Sequence, residues 1–148
     1  MTRHLVILTA VIGLGATASA VYAHHSHPYF YDSCKNVTIE GRVERVEWKD
    51  PHTWVFLKQD DGTAYTVDWA GLSQLTQKGT INSAKAAVVF GARLSVTGNP
   101  IRTTAEIREH FAEFTSVVNP NTLDPKTIRR VDNSFNWAMQ SPPDCTRK

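Results

Sequence analysis

The sequence predicts a mainly β domain: a five-stranded OB-like β-barrel with a short helix between strands 3 and 4 and a C-terminal helical appendage. Three observations carry that expectation. Short runs alternate apolar and polar residues at the strand period; an Asp61-Gly62 pair between two such runs supplies hairpin chemistry; and the order of three strands, a helix and two more strands is that of the OB barrel. A β-sandwich, or an unclosed antiparallel sheet with helices, is the architectural alternative.

The first strand starts at Val37, with Val37, Ile39, Gly41 and Val43 on one face and Thr38, Glu40 and Arg42 on the other. The phase then slips. Val46 and Trp48 have the opposite parity from Val43, so a bulge near Glu44-Arg45 is needed to keep one apolar face, and the strand must be long and bent. Asp50-Pro51-His52 is turn chemistry, because Pro fixes φ and Asp accepts from the backbone that follows. A second strand, Thr53 to Lys58, and a third, Ala64 to Trp69, flank Gln59-Asp60-Asp61-Gly62, where the two carboxylates belong to a solvated turn.

After Gly71 the spacing of Leu72 and Leu75 is helical and stops at Lys78-Gly79. Ser83 to Val89 is a further helical turn, and Arg93 to Gly98 is the fourth strand, closed by Gly98-Asn99-Pro100. Glu106 to Val118 is ambiguous: Ile107, Phe111 and Phe114 fit a helix, whereas His110, Ala112 and Phe114 fit one face of a strand. The barrel needs a fifth strand, and it is expected here. Asn119-Pro120-Asn121 then marks a boundary, and Asp124-Pro125 has the form of an N-cap with Pro at the first helical position.

These elements divide the chain into a signal peptide (1–23), the barrel (24–118) and a C-terminal extension packed on it (119–148). Met1-Thr2-Arg3-His4 is a basic start, Leu5 to Leu14 an apolar run, and Gly15 to Ala20 a small-residue stretch, the order of a cleavable leader. Cleavage fits after Ala20 or after Ala23, the second being preferred. The expected location is therefore periplasmic or secreted, with no stable membrane insertion after cleavage. Removal of Arg3 leaves 15 Lys+Arg against 14 Asp+Glu, a near-neutral chain that argues against nucleic acid and anionic membranes. In an oxidising compartment Cys34 and Cys145 are expected to pair. Such a link closes a loop of roughly 110 residues, worth about 4 to 5 kcal/mol in the chain-entropy account.

Two clusters hold the chemistry-bearing side chains. His24-His25-Ser26-His27 follows the preferred cut, where a terminal histidine offers its amine and imidazole to one metal and a second imidazole completes a nitrogen set suited to copper. Cleavage one residue earlier leaves Ala23-His24-His25, with a histidine third from the terminus and a square-planar seat for copper or nickel. The alternative is a solvated tail of adventitious histidines. The second cluster, Trp48-Lys49-Asp50-Pro51-His52-Thr53-Trp54, joins the first two strands next to the usual OB ligand groove. Trp48, Asp50, His52 and Trp54 suit a flat ligand such as a sugar. His52 is also a candidate metal donor with His24, His25 and His27, provided its ring comes within about 4 Å of theirs. The structural alternative makes Trp48 and above all Trp54 core residues and His52 a turn residue. His110, isolated, is left out of the site.

No glycine-rich phosphate loop, nucleophile elbow or His-Glu-x-x-His helix is present, so hydrolytic chemistry by a known arrangement is not expected; an enzyme that uses copper for oxidation is the least supported class, since only the N-terminal histidine recommends it. Asn36-Val37-Thr38 matches a glycosylation acceptor but carries no meaning in a bacterial host.

Ala23-His24-His25-Ser26, Val37-x-Ile39-x-Gly41-x-Val43, Trp48-x-x-Pro51-His52-x-Trp54 and the Gly91-to-Pro100 stretch together resemble a family of small exported bacterial proteins of unknown function, DUF6152. The resemblance spans roughly His24 to Arg102 and implies a bacterial exported OB-type barrel. It implies no activity. The chain departs from the family pattern at Ser26-His27, in the long stretch from Ile81 to Val89, and after Asn119.

The resulting expectation is a periplasmic binding or accessory protein that holds copper, with an unknown protein or small-molecule partner in the cell envelope. Its rival is a metal-free OB module binding a partner protein or an envelope oligosaccharide through the Trp48-to-Trp54 loop.

Overall fold

A computed structural model describes residues 27–139 of the chain. The elements in order are α1 (His27–Phe30), β1 (Val37–Glu47), β2 (His52–Lys58), β3 (Ala64–Ala70), α2 (Leu72–Gln77), α3 (Ile81–Ala87), β4 (Arg93–Pro100), α4 (Thr104–His110), β5 (Thr122–Arg130) and β6 (Asn136–Ala138). The sheet runs β3-β2-β1-β4-β5-β6, and an additional β3–β5 pairing closes the first five strands into a mixed barrel. Among the described residues no helix is long and apolar enough to cross a membrane.

The long bent first strand is present. Residues Val37 to Arg42 pair with β4 and Arg42 to Glu47 with β2, so one strand serves two neighbours. The register shifts between Val43 and Arg45, where the change of phase required a bulge. On β2 the buried residues are Thr53, Val55 and Leu57, and their register partners on β3 are Trp69, Val67 and Tyr65. With Val43, Leu94, Val96, Leu123 and Ile128 these side chains fill the barrel. Trp69 closes one end of the core, in edge contact with Phe135 and Trp137 and tilted against Trp48. The two short helices α2 and α3 connect β3 to β4, and α2 ends where Gly79 takes a positive φ of 66°.

Two expectations fail together. The segment from Glu106 to Val118 is not the fifth strand: Thr104–His110 is a helix, opened by a capping box in which the Thr103 hydroxyl accepts from the Glu106 N–H and the Glu106 carboxylate accepts from the Thr103 N–H. Ile107 anchors it, fully buried. The fifth strand is instead Thr122–Arg130, the segment expected to start a helix at Asp124-Pro125, and with β6 it replaces the helical appendage. Pro125 is tolerated because it lies at a register shift opposite Gly98, where a missing N–H costs no ladder bond. Leu123 and Ile128 both face the core although five positions separate them, because that bulge resets the phase. The sheet therefore continues past residue 118 through β5 and β6.

The bulge has no room to spare. A Cβ on Gly98 would overlap the Asp124 carbonyl and press on the Pro125 Cα. Gly98→Ala is expected to lower stability by about 1–3 kcal/mol, the usual cost of overpacking. Urea unfolding followed by tryptophan fluorescence measures it, and an unchanged midpoint would refute the close approach.

Candidate functional site

The period of two along β1 and β2 separates residues that are neighbours in sequence. Trp48 turns toward the core, tilted 53° against Trp69 with ring centroids 6.0 Å apart, and the Lys85 ammonium lies over it. Trp54 is on the opposite face. It is half-buried, alternates with the buried Val55, and stacks on His52 at 6.2 Å, so the expected core placement of Trp54 is corrected.

Asp50 has a structural partner. Its Oδ1 accepts from the Ser73 N–H at 2.9 Å and its Oδ2 from the Ser73 hydroxyl at 2.8 Å, which supplies the first turn of α2 with the acceptor that Gly71 lacks. Gly71 is required there, since a Cβ would overlap the Pro51 carbonyl and the Asp50 carboxylate. Trp48, Asp50, His52 and Trp54 thus do not share one groove. His52 and Trp54 remain together on the outer wall.

His52 belongs to a constellation the sequence does not announce. Its Nδ1 lies 2.6 Å from Asp68 Oδ1, and the Tyr31 hydroxyl donates to Asp68 Oδ2 at 2.7 Å. Asp68 and Tyr31 are buried; the His52 side chain is 35% exposed. With the carboxylate accepting through both oxygens, the imidazole donates Nδ1–H, and Nε2 is the nitrogen that carries the lone pair. This is the orientation in which a carboxylate prepares histidine as a metal ligand.

The closure of the barrel builds this site. Val67 pairs with Leu123 in the parallel β3–β5 contact and both point inward, so the next residues, Asp68 and Asp124, lie side by side on the outer surface. Tyr31 reaches them because its segment adds an isolated bridge to Ile101, just after β4, with flanking bonds from Asp32 N–H to the Pro100 carbonyl and from Arg102 N–H to the Phe30 carbonyl. Burial, then the Asp68 charge and hydrogen bond, then Asp124, hold the Tyr31 phenol well above its ordinary pKa.

Of the expected metal donors, His24 and His25 lie outside the described residues, as do the expected signal peptide and Cys145, and of His27 only the backbone, at the start of α1, is described. Among the described residues no three His, Cys, Asp or Glu side chains converge to hold a metal ion. His110 packs on Tyr29 at 5.0 Å, within a ring cluster that ties α1 to α4 through Phe30, Phe111 and Phe114. Asp60 and Asp61 are engaged in the turn, with Arg93 and the Thr63 N–H respectively.

The raised Tyr31 pKa fixes a pH dependence. The folded state holds the phenolic proton more tightly than the unfolded state, so the associated stability is complete below the ordinary value of 10.0 and is lost as pH rises beyond it. Wild-type protein is expected to lose stability above pH 10 more steeply than Tyr31→Phe in parallel denaturant series. Equal slopes would show that the phenol is not held by its surroundings.

Comparison with known proteins adds one finding. No curated protein matches the chain. A family model described as a family of unknown function, DUF6152, matches residues 11–108, reaching through most of α4 and excluding β5 and β6. That match covers more than half of the sequence, and the protein is a member of the DUF6152 family.

Proposed function

We propose that the protein is an exported periplasmic binding or accessory protein that holds copper through His24, His25 and His27 at the mature N-terminus, with His52 as the fixed donor on the barrel. The observation that carries this reading is the hydrogen-bonded chain from Tyr31 through Asp68 to His52. It fixes a partly exposed imidazole through Nδ1, and it starts only four residues after His27. Six residues lie between His24 and Tyr31, so the N-terminal histidines are tethered to the segment that carries Tyr31, and binding at both ends would be intramolecular. In this reading the barrel supplies one donor and the N-terminus the others. Cleavage after Ala23 adds a terminal amine to the donors.

The rival reading, a metal-free module for an envelope oligosaccharide or a partner protein, is supported by the half-exposed stack of His52 on Trp54. It would use the outer wall of β2, since Trp48 and Asp50 are engaged elsewhere.

Copper titration of the processed protein separates the two. Asp68→Asn is expected to weaken binding about 10- to 100-fold, the usual cost of losing a partner that orients a ligand. His24→Ala and His52→Ala should weaken it at least as much. Equal weak binding in wild type and all three variants would leave an adventitious tail. Mass spectrometry of the secreted chain should read His24 as the first residue; a start at Val21 sinks the terminal-amine site. We further propose that Cys34 and Cys145 pair after export. A non-reducing peptide map should then yield one cross-linked peptide, and two alkylatable thiols would refute it.

A further inference from the structure

Arg42, Arg93 and Arg130 are far apart in sequence but adjacent in the barrel. Arg42 on β1 is the direct register partner of Arg93 on β4, and Arg130, near the end of β5, lies opposite Leu94. The three line one open pocket of about 360 Å³, together with Val131 and Asp132. Like charges set directly opposite across two strands are unfavourable, so the fold gains nothing from the Arg42–Arg93 juxtaposition itself. Two of the guanidiniums are held in place by exposed carboxylates: Asp60 takes both Arg93 Nη atoms, and Asp132 takes Arg130 Nε and Nη2. Exposed ion pairs of this kind are weak, and a phosphate can exchange for the carboxylates at little cost while accepting the same forked donors. Arg42 is exposed.

The rim of this pocket is apolar. Phe90, which precedes the pocket residue Gly91, is 83% exposed, the most exposed aromatic ring among the described residues, and Val89 and Val131 are also exposed. The apolar group protrudes at a turn and forms no groove, so it does not suit an extended peptide. A protruding aromatic beside a set of guanidiniums does suit the boundary between headgroups and acyl chains in a bilayer.

We propose that this face contacts an anionic phospholipid surface, with a headgroup phosphate seated among Arg42, Arg93 and Arg130 and with Phe90 and Val89 entering the acyl boundary beside it. Strand pairing gathers the three arginines on one face, where Asp60, Glu40 and Asp132 balance them, so a headgroup phosphate takes the place of a carboxylate at Arg93 or Arg130. The proposal is independent of the copper reading.

Vesicle flotation of the processed chain tests it. The protein should float with vesicles of phosphatidylglycerol in phosphatidylcholine, not with phosphatidylcholine alone, and less at high salt. Arg42→Gln should lower the bound fraction about fivefold, the worth of one cation at an anionic surface. Phe90→Ser should lower it about tenfold through lost apolar burial. Both side chains are exposed, and circular dichroism checks that each variant is folded. Absence of flotation, equal flotation with phosphatidylcholine alone, or binding undiminished in both variants would overturn the assignment. Saturable binding of inorganic phosphate without flotation would overturn it too, in favour of a soluble anion.

Discussion

The parallel contact between β3 and β5 is the constraint on which the rest of this structure depends. It comprises two register pairs, Thr66 with Thr122 and Val67 with Leu123. Without it the sheet is open and β3 is an exposed edge. With it, Leu123 and Val67 join the core from opposite ends of the sheet order, and Asp68 and Asp124 are forced together outside. A pair of buried carboxylates is a costly thing to place on a barrel wall. The Tyr31 hydroxyl and the His52 ring, both bonded to Asp68, offset that cost.

The first four strands were legible because each is a local statement. Alternation, the Asp61-Gly62 hairpin and the slip of phase after Val43 are written in consecutive residues, and the slip appears in the structure as the register shift between Val43 and Arg45. The fifth strand was not legible. Asp124-Pro125 has the local chemistry of a helix start, and only the bulge opposite Gly98, a residue 27 positions upstream, makes a strand there possible. In the Glu106-to-Val118 segment the two periods overlap, and the capping box at Thr103 and Glu106 decides for helix.

The site divides in the same way. Trp48, Asp50, His52 and Trp54 were recognisable as a dense group of useful side chains, but their closeness in sequence does not survive the strand period. One turns to the core, one caps α2, and two share the outer wall. The partners that give His52 its orientation were invisible. Asp68 occupies the polar position of an alternating strand, which reads as solvent-facing, and nothing local connects Tyr31 to it. Their meeting is a product of barrel closure.

The position of β5 also governs when the fold can exist. The strand that closes the barrel is the last long one, so a chain emerging from synthesis holds β1 to β4 as an open sheet until Thr122 and the residues after it are available. Contacts of such large sequence separation form slowly. An unclosed sheet is marginal, and the core becomes complete only when Thr122–Arg130 has paired with both β3 and β4.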